Sequence, residues 1–280
     1  MLDLLQERLT LYADHGLGSL VAASQIPALS GPRRLTVRPI AMGANGNLLA
    51  MERWYPPDQR FVEDSGYFLL RAPRLGGTAD TVVRLSYGRS WLVVPLPGGN
   101  SQLEMRQPWA TDDLVAVSPG GHRIFVVRRP TADDSREARY RILAFGETSS
   151  PIFVTEVTYR PIPLRDAEVA RRAGEIAAQI RDRFPSARAA QSAVTEALNR
   201  PAFFPPAAAL IAASDGSVWI QREDSSGIRR WDVLDAAGRL ALRVHGPATV
   251  ELREAHGAHA WGVRQRGDEH ELVGFRVITR

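Results

Sequence analysis

The residues best suited to metal binding or catalysis are the histidines, two of which lie three positions apart. His256 and His259 would share one face of a helix, where their imidazoles could bind a divalent metal. The surrounding pattern is instead strand and turn, and residues 254–259 occupy a hairpin position. A metal site also needs three or four converging ligands. We therefore interpret the pair as turn residues and predict no metal-ligating residue and no cofactor.

Serine nucleophiles and paired carboxylates are the other candidates for catalysis. The sequence contains no Gly-x-Ser-x-Gly motif, which would mark a strained nucleophile elbow. Asp112-Asp113 and Asp133-Asp134 are adjacent acids, but each pair lies in a loop before or between strands, where solvated or turn-capping roles are expected. Gly76-Gly77 and Gly98-Gly99 are loop glycines with no following helix to hold a phosphate. The sequence thus assigns no catalytic residue, and ligand-binding residues remain unidentified.

The elements that would position any site are short strands joined by tight turns. The clearest units are residues 209–222, 229–243 and 251–263, with turns at Asp215-Gly216, Asp235–Gly238 and His256-Gly257. Four short antiparallel strands, repeated along the chain, are typical of a propeller blade. The predicted fold is an all-β propeller, with residues 1–280 forming one domain.

Similar units precede this region. Asn45-Gly46 and Ser118–Gly121 mark hairpin turns, and residues 7–24 resemble the last two strands of a blade. These signals give about four to five recognisable blades. The last blade, from residue 251, shows three strands, so we expect a strand from the opposite terminus to complete it.

Residues 165–200 break the strand pattern. Apolar residues recur there at helical spacing, and Asp166 is the expected N-cap of the first helix. We predict a helical insertion that either forms a lid over one end of the propeller or covers an edge. Phe203-Phe204, flanked by prolines, is either an exposed docking segment or packs this insertion onto the propeller.

Three tryptophans recur at equivalent positions of the units. Aromatic residues at such positions most often fill the wedge between neighbouring blades. We therefore expect this packing role, rather than ligand stacking, for Trp219, Trp231 and Trp261.

Composition limits the classes of partner and environment. The chain has 280 residues, no cysteine and a net charge of +4, and all of its 35 basic residues are arginines. Because these arginines are interleaved with 31 acidic residues, we expect no nucleic-acid partner. No apolar run is long enough for a transmembrane helix, and no signal peptide is visible at Met1.

The chain resembles the six-bladed β-propeller proteins of the NHL/TolB-like superfamily, in particular exported bacterial ones. The resemblance rests on residues 109–127, 214–220, 231–238, 261–263 and 275–277. It covers most of the chain, but its motifs are degenerate hairpin signals that imply a fold rather than an activity. Members typically begin with an export signal and two further blades, so the resemblance implies an N-terminally truncated, exported protein.

Two functions are compatible with these features. The first is a non-catalytic binding or scaffold module for a protein, peptide or glycan. The alternative is a hydrolase or lactonase with a divalent metal in the central channel. The channel-side strand starts at Leu35, Leu114 and Ala209 are apolar and supply no acidic ligand set, so we favour the binding module.

Overall fold

The computed structural model describes residues 2–3, 8–12, 20–25, 37–42, 46–54, 66–72, 79–86, 91–99, 101–130, 136–222, 228–267 and 269–278. Before residue 40, and at residues 53 and 54, it describes the path of the backbone only. No helix in these ranges is both long enough and apolar enough to cross a membrane.

The strands form antiparallel sheets in which each strand pairs with the next along the chain. A separate three-stranded sheet comes first, with β1 (Leu2–Asp3), β2 (Arg8–Tyr12) and β3 (Leu20–Gln25). Blade 1 contains β4 (Val37–Met42), β5 (Leu48–Trp54), β6 (Gly66–Ala72) and β7 (Asp80–Ser86). A hairpin follows, made of β8 (Trp91–Pro95) and β9 (Gln102–Arg106).

Three more blades complete the described propeller. Blade 2 contains β10 (Leu114–Val117), β11 (Ile124–Arg128), β12 (Ala138–Phe145) and β13 (Pro151–Tyr159). The helices α1 (Asp166–Gln179) and α2 (Ala187–Ala197) follow. Blade 3 contains β14 (Ala209–Ala212), β15 (Val218–Arg222), β16 (Ile228–Leu234) and β17 (Leu240–Pro247). Blade 4 contains β18 (Val250–His256), β19 (His259–Arg266) and β20 (Glu269–Arg276).

The blades stack because their inner strands are apolar on both faces. Ile124 and Val126 of β11 pack against blade 1. Phe125 and Val127, on the opposite face of β11, pack against blade 3. Trp219 of β15 packs in the same way between blades 3 and 4. Since β10 contacts β14 and β14 contacts β18, the first strands of these successive blades lie side by side. This is the arrangement of a β-propeller, which confirms the predicted fold class.

The predicted turns lie where the sequence indicated. Gly46, Gly120, Gly216, Gly238 and Gly257 all have positive φ angles and fall in or beside the hairpins of the four blades. The described structure contains four blades, which agrees with the sequence-based count of four to five. It does not show the six blades that the resemblance implies.

The closure expected for blade 4 is not found. β18–β20 form a three-stranded sheet, and β1–β3 form a sheet of their own. Within the described ranges, therefore, no N-terminal strand pairs with blade 4. The predicted half-blade at residues 7–24 corresponds to β2 and β3, which pair with each other. The short strand β1 pairs with β2 as the third strand of this sheet.

The helical insertion packs mainly against the β8–β9 hairpin. Leu92 and Val94 of the hairpin form one buried cluster with apolar residues of both helices, including Ile176 and Val194. Gln107 reinforces this contact by donating hydrogen bonds to the carbonyl oxygens of Trp91 and Ala197. We call β8–β9 with α1 and α2 the cap.

The cap lies at one end of the propeller for a topological reason. β8–β9 connect the last strand of blade 1 to the first strand of blade 2, and the helices connect blade 2 to blade 3 in the same way. In a four-stranded antiparallel blade, the first strand begins at the end where the fourth strand finishes. Both parts of the cap therefore arise from the same end of the blades, which is the end where β10 and β14 begin.

Two local predictions need correction. The N-cap of α1 is Arg165, and Asp166 is the first helical residue, where its negative charge favours the helix N-terminus. Trp261 is about one-third exposed and stacks on His259, so it does not fill a wedge. Trp219 and Trp231 do fill the wedge between blades 3 and 4, in contact edge to face.

Phe204 is buried with Trp109 and Leu164 at the base of the cap, so the packing alternative for Phe203-Phe204 is confirmed for this residue.

Gly238 provides a test of blade stacking. Its φ angle is +81°, and a β-carbon there would lie 2.5 Å from Cδ2 of Phe153 in blade 2. We expect Gly238→Ala to lower the free energy of unfolding by about 2–4 kcal/mol, from left-handed strain and steric overlap together. Gly267→Ala is the matched control, because Gly267 also has positive φ but has no atom within 4 Å of the position that a β-carbon would occupy. It should cost only about 1 kcal/mol in urea denaturation; equal losses would contradict the proposed interblade contact.

Candidate functional site

A cleft of about 510 Å³ lies on blade 2 and its connection to blade 1, at the end of the propeller that carries the cap. We call it the arginine cleft, because four guanidinium groups line it. Its lining residues are Ser86, Thr111, Asp113, Arg128, Arg129, Pro130, Arg139, Tyr140, Arg141 and Glu156. This volume lies in the range of pockets that bind small molecules or single side chains.

Strand register places three of the charged residues in a row. Arg128 on β11 lies directly opposite Arg141 on β12, and Arg141 lies opposite Glu156 on β13. Arg139 shares the face of Arg141, since residues two apart on a strand point the same way. Like charges directly opposite each other destabilise a sheet. The arginine pair is therefore unfavourable for folding, and a functional role would account for it.

Glu156 neutralises part of this charge. Its two carboxylate oxygens accept hydrogen bonds from Arg139 at 2.9 Å and from Arg141 at 3.3 Å. These bonds, that of Arg141 first and then that of Arg139, lower the pKa of Glu156 below its ordinary value. One carboxylate thus orients two guanidinium groups at the mouth of the cleft.

The guanidinium group of Arg128 has a buried N–H that donates no hydrogen bond within the described part of the chain. Its Nη2 donates to the carbonyl oxygen of Arg84 in blade 1 at 3.4 Å. Its Nε is buried and has no hydrogen-bond partner among the described residues. A buried donor without a partner costs free energy, so this group is a candidate contact for a bound acceptor.

Arg129 and Tyr140 lie on the side of blade 2 that faces blade 3. The buried guanidinium of Arg129 donates to the carbonyl oxygens of Asp112 and Ala207, both at 2.6 Å. Arg222 of blade 3 donates to the hydroxyl of Tyr140 at 3.1 Å and lies over its ring. These contacts fix the inner wall of the cleft, so Arg129 has a structural as well as an electrostatic role.

Asp113 lies inside the cleft and connects blade 1 to blade 2. Its carboxylate accepts a hydrogen bond from the backbone N–H of Ser86 at 2.8 Å, and its own N–H donates to the Ser86 carbonyl oxygen. Burial raises the pKa of Asp113, although the Ser86 hydrogen bond and the charges of Arg128 and Arg129 oppose this effect. The cleft therefore contains one carboxylate whose ionisation is costly.

The cleft includes one residue that sequence reasoning noted and several that it missed. A solvated or turn-capping role is the expectation for Asp113; the side chain is half-buried in the cleft and accepts a hydrogen bond from the Ser86 N–H. Arg128, Arg139 and Arg141 were not singled out, because the arginines are dispersed along the chain. The available signal was residues 138–145, where Arg139 and Arg141 alternate with core residues.

The other candidates lie elsewhere. His256 and His259 face each other across the β18–β19 hairpin, as the turn interpretation predicted. Nδ1 of His256 is 2.6 Å from the Ser214 hydroxyl, so it joins blades 3 and 4. Among the described residues no group of three or more His, Asp or Glu is placed to hold a metal. Gly98-Gly99 lie in the turn of the β8–β9 hairpin, whereas Gly76-Gly77 and Asp133-Asp134 fall outside the described residues.

No protein family model matches the chain, and no curated protein matches its sequence. The class that the fold defines, a β-propeller with an inserted cap, is therefore established by the architecture alone.

The raised pKa of Asp113 predicts a pH-dependent contribution to stability. Because the folded pKa lies above the ordinary value of 3.8, the stabilisation is present below that value and is lost as pH rises through the folded pKa. Asp113→Asn keeps a neutral side chain throughout. The free energy of unfolding of the wild type minus that of the variant should therefore fall as pH rises above 3.8, in urea denaturation carried out from that pH to neutrality. A difference that stays constant or rises over this range would contradict the burial of a protonated carboxyl.

Proposed function

We propose that this chain is a non-catalytic binding module that recognises an acidic segment of a partner protein or peptide. The observation that carries the proposal is the arginine cleft, in which four guanidinium groups face two carboxylates. Arginine is the residue best suited to bind carboxylate and phosphate groups through paired hydrogen bonds. An excess of positive charge in a concave site favours an anionic ligand.

The surface beside the cleft supports an extended polypeptide partner. Ile152 and Val154 of β13 are 52% and 54% exposed, on the face of the strand that also carries Glu156. Phe153 and Val157, on the opposite face, pack towards blade 3. An apolar pair that continues into a basic cleft is complementary to a segment with apolar residues followed by an acidic one.

The backbone of β13 supports the same partner. It is the outermost strand of blade 2, and in the described structure it pairs only with β12. An outer strand presents N–H and C=O groups to which an extended peptide can bind. Main-chain pairing would then set the orientation of the partner, with the cleft and the apolar pair selecting its side chains.

The superfamily assignment belongs to the same proposal. The four blades and their first-strand packing support a relationship to the NHL/TolB-like propellers, and a six-bladed ring remains part of that hypothesis. Crystallography of the full chain would test the blade number directly.

Selection from a peptide library tests the binding function. We would select random 12-residue peptides on the wild-type protein and counter-select on the double variant Arg128→Gln, Arg141→Gln. The selected sequences should combine an acidic residue with apolar residues two positions apart. Synthetic versions should lose affinity for the double variant at least about tenfold, which corresponds to about 1.4 kcal/mol. Peptides that bind both proteins equally would place the binding site elsewhere.

The apolar pair has a separate test. Ile152→Ser, Val154→Ser should weaken the same synthetic peptides by about three- to tenfold, because apolar area is no longer buried on binding. The matched control is Leu240→Ser, since Leu240 is 52% exposed on β17 of another blade. An equal effect of the control and the double variant would argue against docking along β13.

The absence of catalysis is also testable. A panel of lactones and esters, assayed with added calcium or magnesium, should show no turnover above that of the buffer. Turnover that depends on the added metal and is removed by a chelator would favour the hydrolase alternative instead.

A further inference from the structure

The net charge of the residues that line the arginine cleft indicates the charge of the ligand that it binds. Four guanidinium groups and two carboxylates leave two positive charges in excess. Glu156 is shared between Arg139 and Arg141, and it is held at the mouth of the cleft by both. Arg139 and Arg141 with Glu156 therefore leave one positive charge in excess at the mouth. Arg128 and Arg129 with Asp113 leave the other deeper in the cleft. A bound group with two negative charges would neutralise both.

Arg128 indicates where this group binds. Its buried Nε has no hydrogen-bond partner among the described residues, and Arg141 faces it across the strand pair. An anion that accepts from both guanidinium groups would satisfy the buried N–H and convert a like-charge repulsion into two attractions. Ser86 and Thr111 also line the cleft and carry hydroxyl groups that can donate to an anionic oxygen.

A tetrahedral anion fits this donor set better than a planar one. A phosphomonoester has three terminal oxygens and a charge of about −1.5 to −2 near neutral pH. It can accept hydrogen bonds from several directions at once, whereas one carboxylate has two coplanar oxygens and a single charge. The planar carboxylate position beside Arg141 is already occupied by Glu156.

We propose that the arginine cleft binds a compact dianion of the phosphomonoester type, with Arg128 and Arg141 as its principal ligands. This inference rests on the proposed function, because it specifies the acidic group that the cleft accepts. The phosphoryl group belongs either to a phosphorylated residue of the partner segment or to a free small molecule, and both present the same chemistry to the cleft.

Small anions test the proposal without any partner. Isothermal titration calorimetry at pH 7.5 and constant ionic strength would compare methyl phosphate, dimethyl phosphate and acetate. Methyl phosphate should bind saturably with one site, and the two monoanions should bind at least about tenfold more weakly. Dimethyl phosphate represents the phosphodiester of a nucleic acid, so equal binding of it would overturn the proposal. Equal binding of acetate would do the same.

Variants connect this binding to the cleft. Arg128→Gln and Arg141→Gln should each weaken methyl phosphate at least about tenfold. Arg188→Gln is the charge-matched control; Arg188 is exposed on α2 and does not line the cleft. It should leave the affinity unchanged. An unchanged affinity in Arg128→Gln, or an equal loss in the control, would overturn the proposal.

Stability measurements separate lost binding from lost folding. Without ligand, Arg128→Gln should have a Tm equal to or above that of the wild type, because it removes one member of a like-charge pair. If it unfolds more readily, Arg128→Lys provides the second variant, since lysine keeps the charge but lacks the planar fork. Methyl phosphate should then bind Arg128→Lys measurably less tightly than wild type. Full wild-type affinity of the lysine variant would contradict the role of the guanidinium group.

Competition distinguishes this inference from the proposed function. If methyl phosphate binds through Arg128 but library-selected peptides do not depend on the cleft, the inference stands and the peptide-binding function fails. If those peptides bind through the cleft and methyl phosphate neither binds nor competes, the inference fails and the function stands. A phosphoserine peptide that binds at least about tenfold tighter than methyl phosphate would assign the group to the partner. Equal affinities would assign it to a free small molecule.

Discussion

The burial of both faces of the inner strands is the constraint on which the structure depends. Ile124 and Val126 of β11 need blade 1 as a neighbour, whereas Phe125 and Val127 need blade 3. No blade can bury its apolar surface by itself, so each one stabilises the next, as in other repeat architectures. Side-chain and backbone contacts at the ends of the wedges, such as the Thr155 hydroxyl that donates to Gly238, add hydrogen bonds to this packing.

The candidate site lies where the inner strands are no longer apolar on the face towards blade 1. The face of β11 towards blade 1 begins with Ile124 and Val126 and ends with Arg128. The matching face of β12 runs in the opposite direction, from Arg139 and Arg141 to the core residues beyond them. The wedge between blades 1 and 2 is thus apolar at one end and basic at the other. The basic end is the end at which the interblade connections and the cap lie.

How much could be predicted from sequence depended on the range of the interactions. Hairpin turns and helices follow from local chemistry, and the Asp215-Gly216 turn is one example: Asp215 accepts hydrogen bonds from both the N–H and the hydroxyl of Ser217. The packing of α1 and α2 on β8–β9 could not be inferred, because contacts such as that of Gln107 with Ala197 join residues 90 positions apart that carry no matching local signal. Trp219 and Trp261 each lie on the second strand of a blade, but Trp219 contacts Trp231 in the wedge between blades 3 and 4, whereas Trp261 stacks on His259 and is about one-third exposed.

The arginine cleft was missed for a related physical reason. Dispersed arginines look like solvated surface residues when they are read one at a time, and only strand pairing shows that Arg128 lies opposite Arg141. A local signal was present nonetheless, since Arg139 and Arg141 share the face of β12 that carries Leu143 and Phe145 further along. A strand that changes from charged to apolar residues on a single face crosses from an open region into a core. Because the change runs along the strand, it marks the end of the propeller at which apolar side chains no longer fill the space beside blade 2 and the cleft opens.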